Sequence, residues 1–494
     1  MESLMKKNLI ISFKITAAVL LICFVAPLII SCGNHVHEWS EWETFVASTC
    51  DVVGQERSTC SCGEVRYRTL PKAHEFEFSK NDITNKKKIY VCRLCGAEEA
   101  EELTYEDLGV PIVSFSGSLS KISTKDRVTV DVKYESPTIT FTSKASIKIQ
   151  GSTSATYEKK NYSVKLMDED GDKFRVKILD GWGEHSKYCL KANYIDYSQA
   201  RNVVSAKLYG QIAKTRDKDD IISTLTNGGA IDGFPAVLYI NGKFNGIYTF
   251  NTPKDEYIFG IEGNTGRQAV IMAGKYTHPT ELREAIPEKF ADSGFEIEYC
   301  STEDDPAIGT SWVRDSFNEM IAFINHNDGF AFKEGISEYI DVDRAIDEML
   351  FTCAIAASDN TAKNILWVTY DGKLWIPSPY DLDSTWGLYW NGKQYNEPGI
   401  IMPNRRSNVL WERLSSNYQE ELAARWQELR AGVLSIANIR KAFEDFLSLI
   451  PDELRDAEKN LWKSVPNQES NNIDQIMSYA NDNLYLIDSY FGLN

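Results

Sequence analysis

The sequence predicts an α+β chain in which a strand-rich region gives way to a helical C-terminal part, with a small Cys/His-rich module in front. Three observations predict it. Short β-type runs broken by turn residues fill the stretch from Ile112 to Phe250. Apolar residues recur at helical spacing through Ile340, Val342, Ile346, Met349, Leu350 and Cys353, and again from Leu410 to Ile450. Five cysteines and three histidines crowd residues 35–96. At 494 residues the chain has room for roughly two to four domains, and a hydrophobic content of 43% supplies a sizeable core. The net charge of −18 argues against a nucleic-acid partner, because a phosphate backbone demands a basic surface.

Residues 1–31 read as a targeting segment. Lys6, Lys7 and Lys14 precede an apolar run from Ile15 to Ser31, the order of a secretory signal. The run ends Ile29-Ile30-Ser31-Cys32, which resembles a bacterial lipoprotein signal, cut before a cysteine that then carries lipid. A single uncleaved anchor is the alternative, since 17 residues is near the lower bound for a span. The small Ser31 favours lipidation at Cys32. Either way the remainder is expected to be extracytoplasmic and attached to a membrane surface.

Residues 32–97 form the Cys/His-rich module, read as two half-copies. One runs from HEWSEWETF to TCSCGEVRYRTLPKAH, the other from HEFEFSK to YVCRLCGAEEA. In each, a histidine precedes an aromatic stretch and then a Cys pair ending in Cys-Gly. Cys92 and Cys95 have the spacing of a zinc-ribbon turn, which aims two sulfurs at one metal; Cys60 and Cys62 are one residue closer. With His74 these cysteines are candidate Zn²⁺ ligands. Disulfides suit an extracellular module equally, although five cysteines cannot all pair within it. The module resembles a short repeat of secreted Gram-positive surface proteins and reads as a stalk or interaction element.

Residues 98–110 are an acidic, non-periodic stretch closed by Gly109-Val110-Pro111, expected as a linker. The main domain, 111–494, opens with strands expected at Ile112–Phe115, Val128–Tyr134, Ile139–Phe141 and Ile147–Gln150. Gly151 and Ser152 begin a loop to the strand Tyr162–Leu166. A glycine there lets backbone amides approach a phosphate closely. Lys165 lies on the face of that strand opposite Tyr162, Val164 and Leu166. One glycine and one strand lysine are also what a plain loop and a solvated face would show. Asp196 or Ser198 is placed to cap a helix over Ala200–Ile212. Asn241-Gly242 joins two strands as a hairpin.

The stretch Ala357–Gly387 carries the densest chemistry. After a helix capped by Asp341 or Asp343 comes a polar loop with Asp359 and Asn364, then a strand Ile365–Val368, a two-residue turn at Asp371-Gly372 and a returning strand. Seven residues lead from Asn364 to the turn and nine from Gly372 to Asp381, so nearly equal arms return Asp381 beside Asn364. The five-residue step from Asp359 to Asn364 equals that from a kinase's catalytic Asp to its metal-binding Asn. Carboxylate and amide oxygens of this kind suit Mg²⁺. Asp and Asn are equally ordinary turn residues.

Taken in order, KIQGSTS, KKNYSVKL, LKANYIDYSQARN, VLYINGKFNGIYTF, SDNTAKN and YDLDSTWG resemble the spore-coat CotH kinase family, from about Pro111 onward. The resemblance implies an atypical protein-kinase-like, two-lobed fold and transfer of phosphate from ATP to protein Ser or Thr, with Mg²⁺ or Mn²⁺. It implies that Gly151 and Ser152 lie in the phosphate loop and that Lys165 contacts the ATP phosphates. Asp359 would be catalytic, Asn364 and Asp381 would hold the metal, and Asp383 would be a second ligand or orient one. The acidic residue that relatives often carry soon after Gly-x-Tyr is displaced here to Asp255 and Glu256, so the partner of the lysine is left unassigned. The rival readings are a non-catalytic pseudokinase scaffold or surface-binding protein, and a metal-dependent hydrolase built on Asp381 and Asp383. The hydrolase gives Lys165 and the glycine loop no role. The acceptor protein is not legible in the sequence.

Overall fold

The structure, a computed structural model, describes residues 36–216, 220–261, 263, 266–398, 408–466 and 472–493. The signal segment and Cys32 lie outside the described residues. Two compact units emerge: Met1–Glu77 with Val91–Ala97, and Phe78–Tyr90 with Glu98–Asn494. Residues 78–90 therefore belong with the main domain rather than with the module.

In the first unit the strands Glu43–Val46, Gly54–Thr59 and Val65–Leu70 form an antiparallel sheet. Its side chains are largely exposed, and Arg66 and Arg68 lie over Trp39 and Trp42. Among the described residues of this unit, the buried apolar side chains are those of Cys50, Cys60 and Cys92.

The acidic stretch 98–110 differs from the expected linker. Glu98–Glu102 is a strand, and Tyr105–Leu108 is a helical turn held by a reciprocal capping box between Thr104 and Asp107. Lys86 and Lys133 neutralise Glu102 and Glu135 beside it. The periodicity was masked because every residue from Glu98 to Glu102 is exposed.

Seven strands close a barrel in the order Asn161–Met167, Lys187–Lys191, Lys243–Asn251, Gly233–Ile240, Ile112–Ser116, Val128–Glu135 and Thr140–Gln150. The interior is packed with Phe115, Val130, Val132, Ile147, Tyr162, Val164, Leu190 and Tyr248. Thr140–Gln150 is one continuous strand, where two short ones were expected: the polar run Thr142-Ser143-Lys144 pairs in unbroken register with Asp131–Lys133. Asn241 and Gly242 both take positive φ, the backbone that a two-residue hairpin requires.

A second sheet orders Phe295–Cys300, Ala269–Ala273, Ile365–Thr369 and Ile376–Pro379. Helices Arg201–Ala213, Ser311–His326, Val342–Ala354, Val409–Asn417, Gln419–Ala431, Ile436–Leu447 and Ile473–Tyr490 pack with it around one large core. The helix Asp452–Leu461 adds Leu454 to this core and also reaches the barrel. Its Glu458 accepts from Lys159 Nζ at 2.7 Å and from the Ile247 backbone N–H at 2.8 Å, with both charged side chains buried.

Candidate active site

Two strands of the second sheet bring the polar loop and the acidic motif together. Ile365 pairs with Pro379, and the Tyr380 N–H donates to the Asn364 carbonyl at 2.9 Å, which places Asp381 one residue past Asn364's partner. The turn between these strands is longer than the expected two residues. Pairing stops at Val368–Ile376, because Trp375 leaves the hairpin to bond Tyr339 and Asp341 while its ring fills the core. Asp371 organises the seven-residue connection by accepting from the N–H groups of Lys373 and Leu374.

Asn364 and Asp381 both adopt left-handed backbone, φ 58° and 57°. Asn364 Nδ2 donates to Asp359 Oδ2 at 3.2 Å, and Lys363 Nζ donates to the same oxygen at 2.6 Å. The fully buried Asn360 braces the loop by donating to the carbonyls of Tyr380 and Asn364, while its own Oδ1 has no hydrogen-bond partner.

The LKANYIDYSQARN segment holds the YDLDSTWG segment in place. Asp196 accepts from the Arg201 backbone N–H at 2.8 Å, and Ser198 accepts from that of Ala200, so both serve the helix start. The buried Arg201 guanidinium, paired with Asp196, donates to the Thr385 carbonyl. Asn202 Oδ1 accepts from the Leu382 N–H at 2.9 Å. The same segment also delivers a lysine that the sequence did not single out. Lys191 Nζ sits 3.1 Å from Asp381 Oδ1. Lys254 stands near by, its ammonium 2.6 Å from Glu298 and over the Tyr380 ring that Lys191 also faces.

These charges set the electrostatics. Burial alone would raise Asp381, but Lys191, Lys363 and Lys254 outweigh it and hold the carboxyl below its ordinary range. Burial and the Asp381 charge push Asp383 up to about 8, against the pull of Lys191 and of the Ser384 hydroxyl. Burial opposes the charge of Lys191, yet Asp381 keeps its pKa well above the ordinary lysine value.

Gly151 has φ 110°, and a Cβ there would collide with Ser154 Oγ, so the loop turns only with glycine. Ser152 begins the short helical turn Thr153–Thr156. Ser154 Oγ accepts from Asn161, whose Oδ1 accepts from the Ala192 N–H at 2.7 Å, tying the loop to the end of Lys191's strand. Tyr157 follows this turn within electrostatic reach of Asp383.

Lys165 is placed apart. It pairs across the barrel wall with Lys187, whose ammonium is taken by Asp255 and Glu256. Lys187 is four residues from Lys191 on one strand, about 13 Å at an extended rise. Burial and the charges of Arg127, Lys187, Lys148 and Lys173 lower Lys165's pKa. The displaced acidic pair thus serves Lys187, while the structure brings Asp359, Asn364, Asp381 and Asp383 together with Lys191. The signal that could have found Lys191 is strand alternation: it shares the outward face with Lys187 and Cys189, opposite Tyr188 and Leu190.

In the module, the ligand atoms of Cys50, His74, Cys92 and Cys95 lie within 4.8 Å of one another, as do those of His37, Cys60 and Cys62. The sequence reading grouped Cys60 and Cys62 with His74, Cys92 and Cys95 and left Cys50 and His37 aside. The geometry divides them into two sets. No disulfide forms among the described cysteines.

A barrel whose outer face offers a lysine to an Asp-x-Asp motif, beside an Asp–Asn loop, defines a charged site for a polar ligand. The family model described as CotH kinase protein matches residues 147–486, which include every one of these groups. The chain belongs to the CotH kinase family. No curated protein matches it.

Proposed function

We propose that the chain is a surface-anchored atypical protein kinase that transfers the γ-phosphate of ATP to Ser or Thr of a protein. The observation that carries this reading is the Lys191–Asp381 pair beside Asp359 and Asn364, a cation and a set of oxygen ligands converging from three sequence blocks of the family. On this reading the barrel would be one lobe of a kinase-like fold and the helical layer the other.

The donor set fits a hard cation: the oxygens of Asp381, Asp383 and Asn364 are what Mg²⁺ or Mn²⁺ takes. Burial and then the Asp381 charge raise Asp383, and a divalent cation would relieve the repulsion between the two carboxyls. When bound, the metal would neutralise charge on the nucleotide phosphates. Asn364 turns its Nδ2 to Asp359 and so leaves its amide oxygen for the cation. Lys191 exchanges Asp381 for phosphate oxygens, with Lys254 adding positive potential held in place by Glu298. The Gly151–Ser152 turn supplies backbone amides. Asp359 Oδ2, oriented by Lys363 and Asn364, receives or steers the proton of the acceptor hydroxyl. Such catalysis is positioning and electrostatics.

Attachment would be through lipid on Cys32, and Cys32→Ser should release the protein from membranes. The Cys/His module would bind a structural metal. The central test is incubation of the full chain with γ-labelled ATP and Mg²⁺, alone and with added protein, beside Asp359→Ala. Label on protein with the wild type and not with the variant is expected. A wild type that binds no nucleotide would instead make the chain a scaffold.

A further inference from the structure

We infer that Cys50, His74, Cys92 and Cys95 form one tetrahedral Zn²⁺ site in which a cysteine of the first half-copy completes the ligand set of the second. The inference rests on the metal-binding reading of the module and adds the ligand set and its consequence.

Two of the ligand–ligand distances are close to those of a tetrahedron, and all four ligand atoms lie within 4.8 Å of one another. With Zn–S near 2.3 Å and Zn–N near 2.0 Å, tetrahedral angles put S···S at about 3.8 Å and S···N at about 3.5 Å. Cys50 Sγ is 3.6 Å from Cys92 Sγ, and Cys95 Sγ is 3.3 Å from His74 Nδ1. A disulfide would need its sulfurs about 2.05 Å apart. The turn is shaped for this: the Gly96 N–H closes on the Cys92 carbonyl at 2.8 Å, and Gly96 takes φ 73°, which swings Cys92 and Cys95 to one side. The His74 ring is fixed by stacking on Phe76.

Cys50 comes from elsewhere. It precedes the strand Gly54–Thr59, within the first half-copy, and its thiol is 42 residues from Cys92 in sequence. A metal there closes a long loop and fastens the two half-copies. Something must, because the described residues of the unit build no apolar core: the buried apolar side chains among them are Cys50, Cys60 and Cys92. A domain this small and this open depends on a cross-link or a metal for its stability. A charged tetrahedral N/S set selects Zn²⁺ over oxygen-seeking cations.

The test is metal analysis of the full chain as wild type, Cys50→Ser and Cys92→Ser, with Co²⁺ replacement as the spectroscopic probe. The two variants should lose the same single equivalent of zinc. Wild-type Co²⁺ protein should show tetrahedral d–d bands with thiolate charge transfer that Cys50→Ser diminishes. A Cys50→Ser protein that keeps the full complement overturns the ligand set while sparing the metal-binding reading. A wild type without metal, or one yielding a Cys50–Cys92 disulfide peptide, overturns both. Should the variants misfold, alkylation of the wild type decides: Cys50, Cys92 and Cys95 should be protected until a chelator is added, and equal modification before and after chelation rejects the site.

Discussion

Lys191 Nζ and Asp381 Oδ1 lie 3.1 Å apart although 190 residues separate them in the chain. The pair joins the barrel wall to the edge of the second sheet at the point where acidic and amide groups gather. On the proposed reading, the Lys191 ammonium holds the place that a metal cation would take beside the carboxylate. Removing either partner therefore has different consequences for the other.

Lys191→Met should weaken Mg-ATP binding by roughly 10- to 100-fold, the value of a charged hydrogen bond of about 1.5–3 kcal/mol. Lys165→Met should change it little, because Lys165 faces Lys187 rather than the acidic cluster. Calorimetric titration of both variants checks this. A larger loss from Lys165→Met would return the phosphate contact to that lysine.

Asp381→Ala should lose the Mg²⁺ dependence of nucleotide binding as well as turnover. Asp359→Ala should bind Mg-ATP nearly as the wild type does and transfer poorly, since its interaction develops in the transition state. Titrations with and without Mg²⁺ separate them. Asp383, pushed up to about 8, is protonated at neutral pH without a cation, so Mg²⁺ affinity should rise with pH through about 8.

Glu348 provides a pH test away from the site. It is buried in the helix Val342–Ala354, accepting from Thr352 and the Trp411 indole, and burial pushes it up to about 7. The unfolded chain ionises this group near 4.5. The protonated carboxyl thus contributes stability that is fully present below that pH and lost as the pH rises through about 7, at up to about 1.4 kcal/mol per unit. Urea midpoints from pH 5 to 8 should fall in the wild type relative to Glu348→Gln. Parallel curves would contradict the assignment.

How much of this was legible depended on how local each signal was. The approach of Asp381 to Asn364 follows from counting residues along two adjacent strands, so it could be read even though the turn was misjudged. Trp375 defeated that detail, because only the core shows that it pairs with Tyr339 and Asp341. The choice between Lys165 and Lys191 is not local: both point outward from the barrel, and only its closure against the second sheet decides which meets Asp381. Cys50 was passed over for the same reason, being 42 residues from the sulfur it approaches. Asn360 carries no motif beyond a turn residue, and its bracing role appears only with the Tyr380 carbonyl beside it.

Glu458→Leu should destabilise the fold by about 3–5 kcal/mol, because it strands the Lys159 ammonium in the barrel wall. Adding Lys159→Met should recover much of the loss, leaving the Ile247 N–H without its acceptor. Denaturant midpoints of the wild type, the two single variants Glu458→Leu and Lys159→Met, and the double variant measure the coupling.

That buried pair also orders events in time. Lys159 leaves the ribosome 299 residues before Glu458 does, and until the later residue arrives its ammonium has the carbonyls of Ala192 and Ile247 and the Tyr248 ring but no carboxylate. The barrel sequence is complete by Asn251, yet the barrel wall stays electrostatically unfinished while more than two hundred further residues are made. The barrel of this protein therefore gains its last buried charge partner only once the helix Asp452–Leu461 has been made.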